Sequence, residues 1–181
     1  MTTTSATLPP LARNWLWPAL LAVAAIGGSW ALACVTPFAA FAAILAASER
    51  RTTALATIAV IWLANQIVGV MLLGYPFDAH SIGWGTAIGV AALLATGAAS
   101  AVAQANLRQG FRLALAFVVA FAVYEAALAL VAAATGELAE FAPITVAQLA
   151  ALDAAWLAAV VVLHEALALI GWRAASLRLA A

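Results

Sequence analysis

The sequence predicts an all-α integral membrane protein, a bundle of six transmembrane helices (the second one short) with both termini in the cytoplasm. Of the 181 residues, 68% are hydrophobic and 8% are charged, which leaves too little polar surface for a soluble domain. All the basic residues are arginines, and they lie near the ends of apolar stretches. Since arginine in short loops is retained on the cytoplasmic side, their positions predict the topology.

The seven arginines occupy only alternate gaps between the apolar stretches. One precedes the first stretch, two follow the second, two follow the fourth and two follow the last: Arg13, Arg50, Arg51, Arg108, Arg112, Arg173 and Arg178. These gaps are therefore predicted to be cytoplasmic, and the loops at 34–37, 75–82 and 135–144 are predicted to face outward.

The first apolar stretch, 15–47, is predicted to cross the membrane twice. A single helix there would place Arg13 and Arg50 on opposite sides, and Thr36-Pro37 is a plausible break point. Two crossings with a turn near Cys34–Pro37 keep these arginines together. The second crossing, 38–48, is then shorter than the roughly 20 residues that a span needs, so it is expected to be tilted or partly re-entrant.

Four further spans follow, and each is long enough to cross the hydrocarbon core: 54–74, 83–105, 113–134 and 145–172. The predicted organisation is one membrane domain between two cytoplasmic tails, with boundaries at 1–14, 15–172 and 173–181. Two pairs of small residues, Ala24/Gly28 and Gly85/Gly89, would allow close helix packing, either within the bundle or against another membrane protein.

Several chemistries are not supported by the sequence. It has no phosphate-binding Gly-x-x-x-x-Gly-Lys-Ser/Thr loop, and His164-Glu165 lacks the second histidine of a zinc protease motif. The absence of lysine excludes a retinal Schiff base, and the single cysteine, Cys34, excludes an internal disulfide. A net charge of zero without a basic patch argues against nucleic acid as a partner. We therefore expect neither an enzyme nor an intrinsic cofactor.

Ionisable side chains inside the predicted spans need an explanation, because they are costly in lipid. Glu125, His164 and Glu165 would form a relay for protons or ions, or else make interhelical hydrogen bonds that stabilise the bundle. The outward loop from Tyr75 to Ser81 combines aromatic, acidic and imidazole side chains. It is either a ligand-binding patch or a solvated turn.

The segment 58–103 carries a family resemblance. Its runs are Trp62-Leu63-Ala64-Asn65-Gln66-Ile67-Val68-Gly69, then Gly74-Tyr75-Pro76, then Trp84-Gly85-Thr86-Ala87. With these runs, the chain resembles the substrate-binding S-components of energy-coupling-factor vitamin transporters, and most of all the small proteobacterial cobalamin proteins of the BtuM type. The remainder of the chain matches only in hydropathy and number of spans.

The resemblance implies vitamin uptake across a bacterial inner membrane, with cobalamin as the substrate. It implies an outward-open pocket, and a first span whose small-residue face docks on a membrane coupling subunit with ATPases on other chains. Tyr75, Phe77 and Trp84 would pack on the corrin ring. Asn65, Gln66 and Asp78 would bind its amides. His80 would bind the cobalt in place of a thiolate, because this chain has no cysteine in that loop.

Two alternatives remain open at this stage. One is a small proton- or metal-ion-coupled carrier that uses Glu125, His164 and Glu165. The other is a membrane accessory protein that transports nothing and works through its Ala/Gly helix faces. In every case the lipid bilayer is the first partner of the chain.

Overall fold

Six α-helices make up the described part of the chain, which in this computed structural model comprises residues 10–31 and 36–169. They are α1 Pro10–Ala31, α2 Phe38–Ser48, α3 Arg51–Ile67, α4 Ala79–Ala103, α5 Gln109–Thr135 and α6 Pro143–Leu169. A π-helical turn, Val68–Leu72, extends α3, and a 3-10 helix, Leu138–Phe141, precedes α6. No strand occurs within these ranges.

The helices confirm the predicted all-α membrane bundle. The four from α3 to α6 are long and apolar enough to cross a membrane, when α3 is taken with its π-helical turn, whereas α1 and α2 contribute the shorter apolar stretches Leu16–Gly28 and Phe38–Ser48. The first helix begins at Pro10, five residues before the predicted start of the first span. Cys34 and the C-terminal tail, 173–181, lie outside the described residues.

Side-chain contacts show which helix ends lie together. The indole N–H of Trp17, near the start of α1, donates to the hydroxyl of Ser48 at the end of α2 (3.2 Å). The same ring packs edge-on against His164 in the last third of α6, with 5.1 Å between ring centroids. Arg50, Arg51, Arg108 and Arg112 lie at this end, which we call the inner end; the opposite end is the outer end.

Helix α2 is buried on every side. Its residues from Phe38 to Leu45 are at most 2% exposed, as expected for a helix that is apolar all round. Its large side chains, such as Phe41 and Ile44, pack in one cluster with α1, α3 and α6. Its alanines, such as Ala39 and Ala43, pack in a second cluster with α4 and α5, where their small size allows the helix backbones to approach closely.

The length of α2 makes it a half-span. Eleven residues extend about 16 Å, roughly half of the hydrocarbon core. Because its last residue, Ser48, is at the inner end, its first residue, Phe38, lies near mid-depth. The short second crossing that the sequence predicts is therefore a buried half-helix that begins inside the bundle.

The amino end of α2 is capped by a side chain from another helix. Pro37, which precedes it, offers no side-chain cap, but a carboxylate oxygen of Asp153 on α6 accepts the backbone N–H of Ala40 (2.9 Å). Asp153 is only 7% exposed. A carboxylate at a helix N-terminus satisfies otherwise unpaired N–H groups and complements the helix dipole, so Asp153 is a structural residue that joins α6 to α2.

The small residues predicted to allow close packing do so inside the bundle. A Cβ built on Gly28 would meet the indole of Trp156 on α6 at 2.6 Å, and one built on Gly89 would meet the indole of Trp62 at 2.6 Å. The Gly28 side of α1 is therefore covered by α6. A coupling subunit that docks on the first span, as the family resemblance implies, would therefore need a side of α1 other than that of Gly28.

Replacing Asp153 tests the interhelical cap. Asp153→Asn keeps an oxygen that accepts the Ala40 N–H, whereas Asp153→Leu removes the acceptor. We expect the leucine variant to be less stable than the asparagine variant by about 1–2 kcal/mol, the usual contribution of a helix cap. Unfolding of detergent-purified protein by denaturant would measure the difference, and equal stability of the two variants would contradict the role of Asp153 as a cap.

Cysteine labelling tests the sidedness. In a Cys34→Ser background, Ala79→Cys at the start of α4 and Asn106→Cys in the loop before α5 place exposed thiols at the outer and inner ends. A membrane-impermeant thiol reagent added outside intact cells should label the first variant and not the second. The reverse pattern would show that the arginine-bearing end faces outward.

Candidate functional site

A cavity of about 670 Å³ lies at the outer end of the bundle, between the second half of α3, the following loop and the first turns of α4. Such a volume is typical of sites for small-molecule ligands. Most of its wall is apolar, and a few polar groups lie among the aromatic side chains.

The residues after α3 explain how the chain reverses direction beside the cavity. After Ile67 the helix widens into the π-helical turn, which brings Gly69 and Val70 to the cavity wall. Gly74 then ends the helix in the left-handed conformation (φ 71°), which glycine adopts without steric cost. The chain therefore reverses at Tyr75 and crosses the mouth of the cavity before α4 begins.

Six of the seven residues proposed from the sequence for substrate binding line this cavity: Asn65, Gln66, Tyr75, Phe77, His80 and Trp84. They come from three different elements, and the fold brings them to one place. Phe77 is 79% exposed and the His80 side chain is 64% exposed, so both lie at the open rim. Asn65 is 5% exposed and lies at the floor.

The seventh residue, Asp78, does not line the cavity and has a local role. It is the N-cap of α4, where its carboxylate accepts the backbone N–H of Ser81 (2.8 Å). This hydrogen bond favours the charged form and lowers the pKa of Asp78. This capping role agrees with the solvated-turn interpretation of the loop, and the contact of Asp78 with substrate amides stays a prediction.

The floor of the cavity is tied to the start of the half-helix. The hydroxyl of Thr36, two residues before α2, donates to the side-chain oxygen of Asn65 on α3 (2.7 Å), and both residues are buried. Asn65 therefore has a packing role in addition to its place in the cavity wall. A ligand that reached the floor would contact a group already held in one orientation.

The wall between α3 and α4 depends on two glycines. The indole N–H of Trp62 donates to the carbonyl oxygen of Gly85 (2.7 Å), and the indole ring lies over Gly89. The side-chain amide of Gln66 lies over Gly85 in the space that a Cβ would fill. Trp62 and Gln66 both line the cavity. Because they occupy the space beside glycines of α4, these glycines determine the position of this wall.

Glu137 is a residue of this region that the sequence analysis did not single out. It follows Gly136, which ends α5 in the left-handed conformation (φ 82°). One carboxylate oxygen of Glu137 accepts the indole N–H of Trp84 (3.0 Å), and the other lies 3.7 Å from Nδ1 of His80. The sequence feature that could have identified Glu137 is an acidic residue directly after a helix-ending glycine in a loop predicted to face outward.

The proposed relay residues do not come together. Glu125 lies ten residues before the outer end of α5, and Asp153 lies ten residues after the outer end of α6, so these two have the same depth. His164 lies eleven residues beyond Asp153, about 16 Å nearer the inner end, beside Trp17 and Glu165.

Glu125 is nevertheless unusual among the buried side chains. It is 9% exposed, and its Oε2 atom has no hydrogen-bond partner. Within the described residues, no group of three or more His, Cys, Asp or Glu side chains is arranged to hold a metal ion. Asp153 is another buried carboxyl at the depth of Glu125, and the sequence-based relay did not include it.

Comparison with protein-family models, with curated protein sequences and with solved structures finds no match to this chain.

Glycine substitutions test how the cavity wall is built. Gly89→Ala places a methyl group within 2.6 Å of the Trp62 ring, whereas at Gly83, on the same helix, nothing lies within 4 Å. We expect Gly89→Ala to lower the stability by about 1–3 kcal/mol through overpacking, and Gly83→Ala to be neutral or stabilising by less than about 1 kcal/mol. Unfolding of detergent-purified protein by denaturant would measure both effects. Similar behaviour of the two variants would contradict the close packing at Gly89.

Proposed function

We propose that this chain is the membrane-embedded substrate-binding subunit of a vitamin uptake transporter in a bacterial inner membrane, and that its substrate is cobalamin. The single observation that carries the proposal is the cavity at the outer end, which collects six of the residues that the family resemblance implies for binding. Its position suits a substrate that arrives from outside, because the inner end bears the arginines.

The residues at the cavity match the chemistry of a corrinoid. Tyr75, Phe77 and Trp84 offer aromatic surfaces for the apolar faces of the ring. The amides of Asn65 and Gln66 suit the amide side chains at the ring edge. His80 is exposed at the rim, and a neutral imidazole is a good axial ligand for cobalt. Asp78 is left out of this set because it caps α4.

Energy for uptake would come from other chains in this scheme. The sequence has no phosphate-binding loop of its own, so a membrane coupling subunit with ATPases is the expected partner. Because Trp156 covers Gly28, the side of α1 left for such a subunit or for lipid is the exposed one, which carries Ala19, Val23 and Gly27.

Absorption spectroscopy tests the proposal directly. Detergent-purified protein is incubated with cobinamide, a corrinoid without the nucleotide base, and free ligand is removed. We expect a co-purifying corrin spectrum with the shift that accompanies imidazole binding to cobalt. His80→Ala should lose that shift and weaken binding about 10-fold or more, since a protein–metal bond is lost.

His164→Phe serves as the matched control for this measurement. It removes the other imidazole of the chain, keeps an aromatic ring against Trp17 and should leave the spectrum unchanged. A colourless wild-type protein would overturn the cobalamin proposal. It would favour the ion-coupled carrier, for which the buried Glu125 carboxyl is the relevant observation, or the accessory protein.

A further inference from the structure

We infer that Glu137 is a positioning residue that selects the tautomer of His80: its carboxylate holds the imidazole proton on Nδ1 and leaves Nε2 with a free lone pair for the metal of a substrate. The part of this inference that concerns the metal rests on the proposed function. The part that concerns the tautomer rests only on the contacts of Glu137 with His80 and Trp84.

The backbone brings Glu137 to this position. Gly136 turns the chain out of α5 in the left-handed conformation, and the backbone N–H of Glu137 bonds back to the carbonyl of Ala132 (2.8 Å). This is the hydrogen bond of a Schellman turn. The turn directs the start of the α5–α6 loop toward the first turns of α4, where His80 and Trp84, four residues apart, share one helix face.

Trp84 fixes the orientation of the carboxylate. An indole N–H can only donate, and it donates to Oε2 of Glu137 at 3.0 Å. The other oxygen, Oε1, is thereby directed to His80. Since Trp84 and His80 are both cavity-lining side chains, Glu137 joins two residues of the cavity wall.

The carboxylate discriminates between the two neutral forms of the imidazole. At 3.7 Å, the Oε1–Nδ1 separation is an electrostatic contact and longer than a hydrogen bond. In the Nδ1–H form, the positive end of the N–H bond faces the carboxylate. In the Nε2–H form, Nδ1 would direct a lone pair at the negative charge. Histidines that bind metals through one nitrogen usually hold the other against such a group.

A purely stabilising role does not explain the arrangement. The two side chains are 64% and 36% exposed, and exposed ion pairs add little to stability because water screens them. The pair instead determines which ring nitrogen of His80 carries the proton. The other nitrogen is then the one that can bind the metal of a substrate.

The isosteric variant Glu137→Gln provides a sharp test. Only the amide oxygen of glutamine can accept the Trp84 N–H, so its NH₂ group is turned toward His80. Nδ1 must then accept, and the proton moves to Nε2, where it blocks metal binding. The chain has two histidines, so ¹⁵N-histidine NMR at a pH where both imidazoles are neutral resolves each tautomer.

The second histidine supplies the matched control. Nδ1 of His164 lies at the same 3.7 Å from Oε1 of Glu165, far from the cavity. We expect the Nδ1–H form of His80 to predominate in the wild type and the Nε2–H form in Glu137→Gln. Glu165→Gln should leave the His80 signals in place. An unchanged His80 tautomer in Glu137→Gln would overturn the inference, whether or not the protein binds a corrinoid.

Cobinamide binding then tests the role in metal recognition. We expect Glu137→Gln to bind about 10- to 100-fold more weakly than the wild type and to lose the imidazole-dependent spectral shift. Unchanged affinity together with an altered tautomer would overturn the metal-presenting role. If the wild type binds no corrinoid at all, the proposed function fails, while the NMR result still decides the assignment of Glu137.

Discussion

The hydrogen bond between Asp153 and the amino end of α2 is the interaction on which the arrangement of the bundle depends. A helix that starts inside a bundle leaves several N–H groups without intrahelical partners, and the hydrocarbon of a bilayer offers no group that could accept them. The carboxylate of Asp153 accepts one of these groups from α6. Without such an acceptor, a half-helix surrounded by apolar side chains would carry unpaired donors at its end.

The half-helix in turn determines where a cavity can form. Because α2 fills only the inner part of the bundle, the other helices pack closely there through alanine contacts. At the outer end, Trp62 and Gln66 of α3 lie over glycines of α4 and form part of the cavity wall. The hydrogen bond between Thr36 and Asn65 marks the boundary between the filled part and the cavity.

The polar side chains described above differ in their physical roles. Some, such as Asp153 and Asp78, satisfy backbone N–H groups at helix starts. Others, such as His80 and Glu137, lie at the outer rim, where water or a ligand can reach them. Glu125 belongs to neither group, since one of its oxygens is buried without a hydrogen-bond partner. Sequence position alone does not distinguish these roles, because each role depends on which groups of neighbouring helices or loops lie next to the side chain.

The sequence by itself determined the class of the protein, its helical spans and its predicted topology, since these follow from hydropathy, length and arginine placement, which are local properties. It also indicated the cavity residues from Asn65 to Trp84, which lie within twenty residues of each other along the chain. Tertiary structure alone decided that α2 is a buried half-helix, that Asp78 caps α4 and that Gly28 is covered by Trp156. It also paired Glu137 with His80, 57 positions away. Such pairings depend on which helix faces meet, and alanine-rich helices carry almost no side-chain pattern that could reveal them.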